Sequence, residues 1–318
     1  MTRNERPRNM HLIRHLPDRA AAPTAIAIGN FDGLHRGHQA VLDAMLGAAK
    51  QWGLVPTVLT FEPHPRRFFK PDAPMFRIMR LRDKLAGLRE MGVSQVAMPR
   101  FDARFARMSP EHFLDGLLAN QLGAKVVVTG ENFAFGHQRG GDSAMLKEWG
   151  KKHNIEIITV APVRMEGEIC SSSAIRAAIT RGAVLHAKKL LGRPYQVSGR
   201  VVHGDGRGRT IGFPTANVSL PPNLLLPAYG VYAVRATVDG VVFDGVANLG
   251  IRPTVAVDNC PSLEVHLFDT RQEIYGKMLR VCLVDKLRAE MKFDSVASLA
   301  AQIEKDTLMA KHTLARNL

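Results

Sequence analysis

The sequence predicts two domains: a doubly wound α/β domain on a parallel sheet, then an antiparallel β-barrel with a terminal helix. Three observations carry this. From Ala25 to about Val163, short apolar runs alternate with segments of helical periodicity, the pattern of a parallel sheet covered on both faces. Beyond Gly192-Arg193-Pro194 the chain turns to short β-rich runs separated by turns, with little helix, as in a compact antiparallel barrel. At 318 residues, 46% hydrophobic and 23% charged, the chain is long enough for two soluble domains, each with its own core. The boundary is expected at 187/188, giving domains 1–187 and 188–318.

In the first domain, strands are expected at residues 25–28, 56–61, 95–98, 125–129 and 155–160. Helices are expected at 38–51, where Val41, Leu42, Met45 and Leu46 fall at helical spacing, and at 81–91, 110–122 and 143–152. A helix over 172–191 should stop at Gly192-Arg193-Pro194. Barrel strands follow at 196–202, 230–238, 241–249, 262–268 and 278–284, with Asp239-Gly240 as a hairpin turn. A last helix spans 295–314, and roughly the first twenty residues read as loosely ordered.

A formal charge of +14 raises nucleic-acid binding as a possibility. Aromatics are only 6%, however, and no basic run is interleaved with stacking residues. The arginines are scattered, as at Arg66-Arg67 and Arg207-Gly208-Arg209, so polyanionic small molecules explain the charge at least as well and no nucleic-acid partner is expected. Cys170, Cys260 and Cys282 are widely spaced and lack metal-ligand spacing, which suggests a reducing compartment. With no apolar run of membrane-spanning length and no signal-type N-terminus, the expected location is cytoplasmic, without a membrane partner.

The chemistry-bearing residues gather where a doubly wound sheet binds ligands, after the carboxyl ends of strands. Gly29-Asn30-Phe31-Asp32-Gly33-Leu34-His35-Arg36-Gly37-His38 links the first strand to a helix. Free N–H groups at that helix start favour an anion, and Gly37 would let a phosphate approach the backbone. His35 and His38, three residues apart, share one face and suit the charge that develops as a phosphoanhydride breaks. After the second strand, Phe61 and the Glu62-Pro63-His64-Pro65 loop border the same edge. After the fourth, Asn132 stands between Gly130 and Gly136. Ser171-Ser172-Ser173-Ala174-Ile175-Arg176 opens a helix with hydroxyl caps and a guanidinium suited to a phosphate. Together these describe a nucleotide-handling site.

The 29–38 and 171–176 segments resemble adenylyltransferases of the His-x-Gly-His class. The stretch Gly199 to Asn217, with Gly204, Gly206, Gly208, Gly212 and Pro214-Thr215-Ala216-Asn217, resembles the ATP-binding flap and signature of bacterial riboflavin kinases. Tyr229-Gly-Val-Tyr232, Asn248-Leu-Gly-Ile-Arg-Pro-Thr254, Leu263-Glu-Val-His-Leu-Phe268 and Glu290-Met-Lys-Phe293 fit the same family. Nearly the whole chain is thus similar to the bifunctional riboflavin kinase/FAD synthetases.

That resemblance implies phosphorylation of riboflavin to FMN in the C-terminal barrel, and adenylylation of FMN by ATP to FAD and pyrophosphate in the N-terminal domain. Thr215 and Asn217 would hold Mg²⁺ and ATP phosphates, oxygen ligands suiting that ion. Glu264 would be the general base, on a strand whose Leu263 and Val265 turn to the other face. The glycines give the flap freedom to fold over phosphates. His35, His38 and Arg176 would stabilise adenylyl transfer, while Gly29, Phe31, Gly37, Phe61, His64, Asn132, Ser171 and Ser172 would contact ATP or flavin. Ala134 stands where the family often has Arg, and Ser173 where Thr is common. Two alternatives are another His-x-Gly-His adenylyltransferase with an accessory binding barrel, and a basic nucleic-acid-binding protein.

Overall fold

The computed structural model describes residues 9–72, 74, 76–204, 208, 211–252, 260–270 and 273–316. The chain forms two compact units, Met1–Pro74 with Leu81–Cys170, and Met75–Arg80 with Ser171–Leu318.

The first unit is built on an all-parallel sheet of β1 (His11–Ile13), β2 (Thr24–Ile28), β3 (Val55–Leu59), β4 (Gln95–Ala97), β5 (Ala124–Gly130) and β6 (Glu156–Val160). Their order is β1-β4-β3-β2-β5-β6. β2 is buried along its whole length, as a central strand covered on both faces must be, and its run is therefore apolar without strong alternation. The chain leaves β2 towards β3, while the other neighbour of β2 is β5. Strand order reverses there, and the crevice outside the carboxyl ends of β2 and β5 is where such sheets bind ligands. A hairpin of β7 (Arg164–Met165) and β8 (Glu168–Ile169) follows β6.

Two expectations for this half need correction. The first twenty residues are not all loose: His11–Ile13 pairs with Gln95–Ala97 as an edge strand. Three residues are too few to carry a readable period. Residues 112–121 are helical, but wound as a π-helix.

The second unit is a closed barrel of β9 (Tyr195–Val202), β10 (Ala216–Val218), β11 (Gly230–Val238), β12 (Val241–Arg252), β13 (Cys260–Leu267) and β14 (Met278–Arg288), in the order β10-β13-β12-β11-β14-β9. Asp239 and Gly240, with φ of 50° and 83°, make the tight turn between β11 and β12. The terminal helix Val296–Arg316 lies on the outer face of the barrel, where Ala310 and Leu314 join Val231, Ala233, Val246 and Val284 in one apolar cluster. The helix expected over 172–191 is two helices, Ser172–Thr180 and Val184–Leu191, broken where Gly182 takes a φ of 75°. Both group with the barrel, so residues 171–187 pack with the second unit although the sequence reading counts them in the first.

Candidate active sites

In the first unit the turn after β2 is held tightly. The Gly29 N–H donates to the Leu59 carbonyl at 3.1 Å, and Phe31, Gly33 and Leu34 all have positive φ. His35 is the N-cap of the helix Arg36–Trp52, its Nδ1 accepting from the His38 N–H at 3.3 Å. A ring nitrogen that accepts carries no hydrogen, so neutral His35 has its hydrogen on Nε2. The two imidazoles stack at 3.6 Å between centroids, and the buried Phe31 ring sits 5.2 Å from His38. No acidic residue occupies the first turn of this helix, leaving its positive end uncompensated.

Gly37 is also crowded from within the protein. A Cβ there would fall 3.0 Å from the Cys170 carbonyl oxygen and 3.2 Å from the His35 ring, so a side chain fits only if these neighbours give by a few tenths of an ångström. Burial pushes the Cys170 thiol up, with nearby Arg36 opposing and Glu168 adding to the shift, so this cysteine is a poor nucleophile.

Beside the turn lies a cavity of about 880 Å³ lined by Gly29, Asn30, Phe61 and Asn132 and by the rings of Phe68, Phe69, Phe101, Phe105, Phe113, Phe133 and Phe135. Phe61 contacts Phe105 at 5.1 Å and Phe101 at 5.8 Å, while Phe133 stacks on Phe135 at 5.4 Å. Such a volume, walled by aromatic faces, suits a flat conjugated ring system. The sequence reading found Phe61 and Asn132 but missed the other rings. They are spread over 68–135, and nothing in their spacing shows that they converge. His64 caps the short helix Pro65–Phe69, accepting from the Arg66 N–H at 3.1 Å, and the wall beside it is Pro65.

Ser171, Ser172 and Arg176 lie in the second unit. Ser171 Oγ accepts the Ala174 N–H at 3.2 Å, capping the helix that begins with Ser172. Arg176 Nε donates to the Phe76 carbonyl at 2.8 Å, and its guanidinium carbon stands 5.7 Å from the Phe76 ring centre.

The barrel carries its own cavity, of about 380 Å³, on the outer face beneath the terminal helix. Register builds it. Asn217 on β10 pairs with Glu264 on β13, Glu264 pairs with Asn248 on β12, and Asn248 pairs with Val231 on β11. All four line the cavity, joined by Thr215, Ser262 and His266, while Leu263 and Val265 alternate into the barrel interior.

The glycine-rich segment presses on this row. A Cβ at Gly204 would fall 2.2 Å from Asn217 Nδ2, and one at Gly208 would fall 2.3 Å from the Phe213 carbonyl and 3.2 Å from Thr215 Oγ1. Gly212 has a φ of 86°, and Gly206 lies outside the described residues. His266 Nδ1 is 2.8 Å from the Pro214 carbonyl oxygen, fixing the start of the Pro214–Asn217 segment.

The far wall comes from residues not singled out individually in the sequence. Glu290 lies against Gly250, where a Cβ would meet its Oε1 at 2.0 Å. Arg288 makes a bidentate pair with buried Asp306, Nε to Oδ1 at 2.9 Å and Nη2 to Oδ2 at 2.7 Å, tying β14 to the terminal helix.

Among the described residues, no three His, Cys, Asp or Glu side chains are grouped to hold a metal ion. The oxygen atoms of Thr215 and Asn217, cradled by glycines that a Cβ would overfill, are the donor type that Mg²⁺ shares with nucleotide phosphates. Among these residues, no helix is long and apolar enough to cross a membrane.

Comparison with known proteins agrees with this two-part architecture. Residues 18–174 match the FAD synthetase family and residues 191–314 the riboflavin kinase family. The bifunctional riboflavin kinase/FMN adenylyltransferase of Escherichia coli K12 is 42% identical over 95% of this chain and 97% of its own. The protein of that name from Bacillus subtilis 168 is 38% identical over 92% of this chain and 93% of its own. A crystal structure from Streptococcus pneumoniae, described as a macrolide-efflux protein, superposes with a TM-score of 0.85 at 33% identity, covering 93% of this chain and 97% of that one. Two family matches in this order, and relatives alike over almost their full length, show that the chain belongs to the bifunctional riboflavin kinase/FMN adenylyltransferase family.

Proposed function

We propose that the two cavities divide the two reactions of this family between the expected domains, 1–187 and 188–318. The chain phosphorylates riboflavin to FMN with ATP and adenylylates FMN to FAD with a second ATP. The observation that carries the assignment of residues is the row Asn217–Glu264–Asn248, three polar side chains at one register level facing one cavity under a glycine cradle.

In the kinase, Glu264 takes the proton of the ribityl 5′-hydroxyl as its oxygen attacks the γ-phosphorus and ADP leaves. Thr215 and Asn217 hold Mg²⁺, which when bound neutralises charge on the ATP phosphates. Gly204, Gly208 and Gly212 give the backbone freedom to fold over those phosphates, and Gly206 is assigned to the same flap by its motif. In the adenylyltransferase, a phosphate oxygen of FMN attacks the α-phosphorus of ATP and pyrophosphate leaves. The nucleophile is already anionic and needs no protein base. His35, His38 and the helix N–H groups stabilise charge as the anhydride bond breaks. The flavin ring fills the phenylalanine-lined cavity, with Asn132 and Gly29 at its edge. Arg176, Ser171 and Ser172 are assigned to phosphate binding by their motif, and the cytoplasm to the enzyme by its scattered cysteines.

The test is riboflavin, ATP and Mg²⁺ with purified protein, products resolved by chromatography. FMN and then FAD are expected. If neither forms, the assignment fails.

A further inference from the structure

Lys84 is a buried cation that the reactions above leave without a task. It stands on the helix Leu81–Glu90 and is 6% exposed, and lysine is almost never buried unless its ammonium is paired. Its Nζ donates to the Asn30 carbonyl oxygen at 3.1 Å and to Thr60 Oγ1 at 3.1 Å, and Thr60 Oγ1 donates to the same carbonyl at 3.3 Å. One turn along the helix, a Cβ at Gly87 would fall 2.6 Å from Leu34 Cδ1. The helix therefore grips the 29–38 turn at two points.

Peptide geometry gives this a consequence. The Asn30–Phe31 bond is trans, so its carbonyl and its N–H point in opposite directions. Two donors hold the Asn30 carbonyl on the side of Thr60 and Lys84, which aims the Phe31 N–H the other way. Among the described residues that N–H has no acceptor. We propose that Lys84 is a positioning residue for adenylyl transfer, fixing this peptide so that the Phe31 N–H is a preorganised donor to a phosphate oxygen of the nucleotide. Donors set in advance stabilise developing charge without reorganising as it appears. The proposal rests on the 29–38 turn being the ATP phosphate site.

The test uses the full chain. Labelling Asn with ¹³C at the carbonyl and Phe with ¹⁵N leaves two filtered amide signals, from Phe31 and Phe133, the two Phe residues that follow Asn. Phe133→Leu tells them apart. In the wild-type protein, inorganic pyrophosphate should shift the Phe31 amide. In Lys84→Met, which keeps the bulk but loses the donor, that shift should vanish. The kcat for FAD formation should fall about ten- to a hundredfold, by analogy with loss of an oxyanion-hole donor. FMN formation, at the other site of the same chain, should stay within about twofold. Thr60→Val, which removes only the second donor, should cause a smaller loss in the same direction and stands in if Lys84→Met does not fold. An unresponsive Phe31 amide in the wild-type protein, or unchanged FAD formation in the variant, overturns the proposal. If His38→Ala leaves FAD formation intact, it is instead the reading of the turn that falls.

Discussion

The role proposed for Glu264 depends on its neighbours. A carboxylate on an exposed strand is ordinarily a solvated charge, but here Asn217 and Asn248 flank it at one register level and all three face one cavity. A general base within reach of its proton contributes about 10²–10⁴-fold. Glu264→Gln should therefore slow FMN formation from riboflavin by at least about a hundredfold, while FAD formation from supplied FMN is unchanged. Chromatography of both products checks this, and equal loss of both would contradict it. Single residues were readable where their motif has a local cause. Ser171 is legible as a helix cap and accepts a backbone N–H as one; His35 does the same, but its capping was not legible, because the helix is expected to begin at 38. Gly37 was readable as a place for a phosphate to approach, but its tight contact with the Cys170 carbonyl, far along the chain, was not.

At the scale of elements, the glycines Gly204 and Gly208 and the terminal helix shape the barrel cavity. Gly204→Ala would place a methyl 2.2 Å from the Asn217 amide and drive that side chain off its position. FMN formation should fall steeply, while the melting temperature changes little, because the amide, not the core, must give way. A melting shift as large as that of a core substitution would refute this. The Arg288–Asp306 pair latches the terminal helix to β14, with the Asp306 side chain 2% exposed. Asp306→Ala leaves a guanidinium without its buried partner and should cost about 3–5 kcal/mol, read by denaturant titration. A cost below about 1 kcal/mol, typical of surface pairs, would show that the latch carries no load. Long periodic elements were legible in the sequence; β1 and β10 were not, since three residues each gain their identity from pairing partners alone. The break at Gly182 was hidden by apolar periodicity on either side of it.

At the scale of the molecule, the order of the two halves was legible because each half has a different hydrophobic period. The aromatic cavity was not. Its rings come from loops and short helices that follow β3, β4 and β5, and only the strand order β4-β3-β2-β5 gathers them. The parallel sheet and the barrel each hold a cavity of their own, which is what the proposed division of two reactions within one chain requires. Independence of the two sites is thus the central claim. The most direct test follows FMN and FAD together in the wild-type protein, Glu264→Gln and His38→Ala, with riboflavin or FMN as the flavin. Glu264→Gln should lose FMN formation and still make FAD from supplied FMN; His38→Ala should make FMN and stop there. Equal loss of both products in each variant would contradict separate sites.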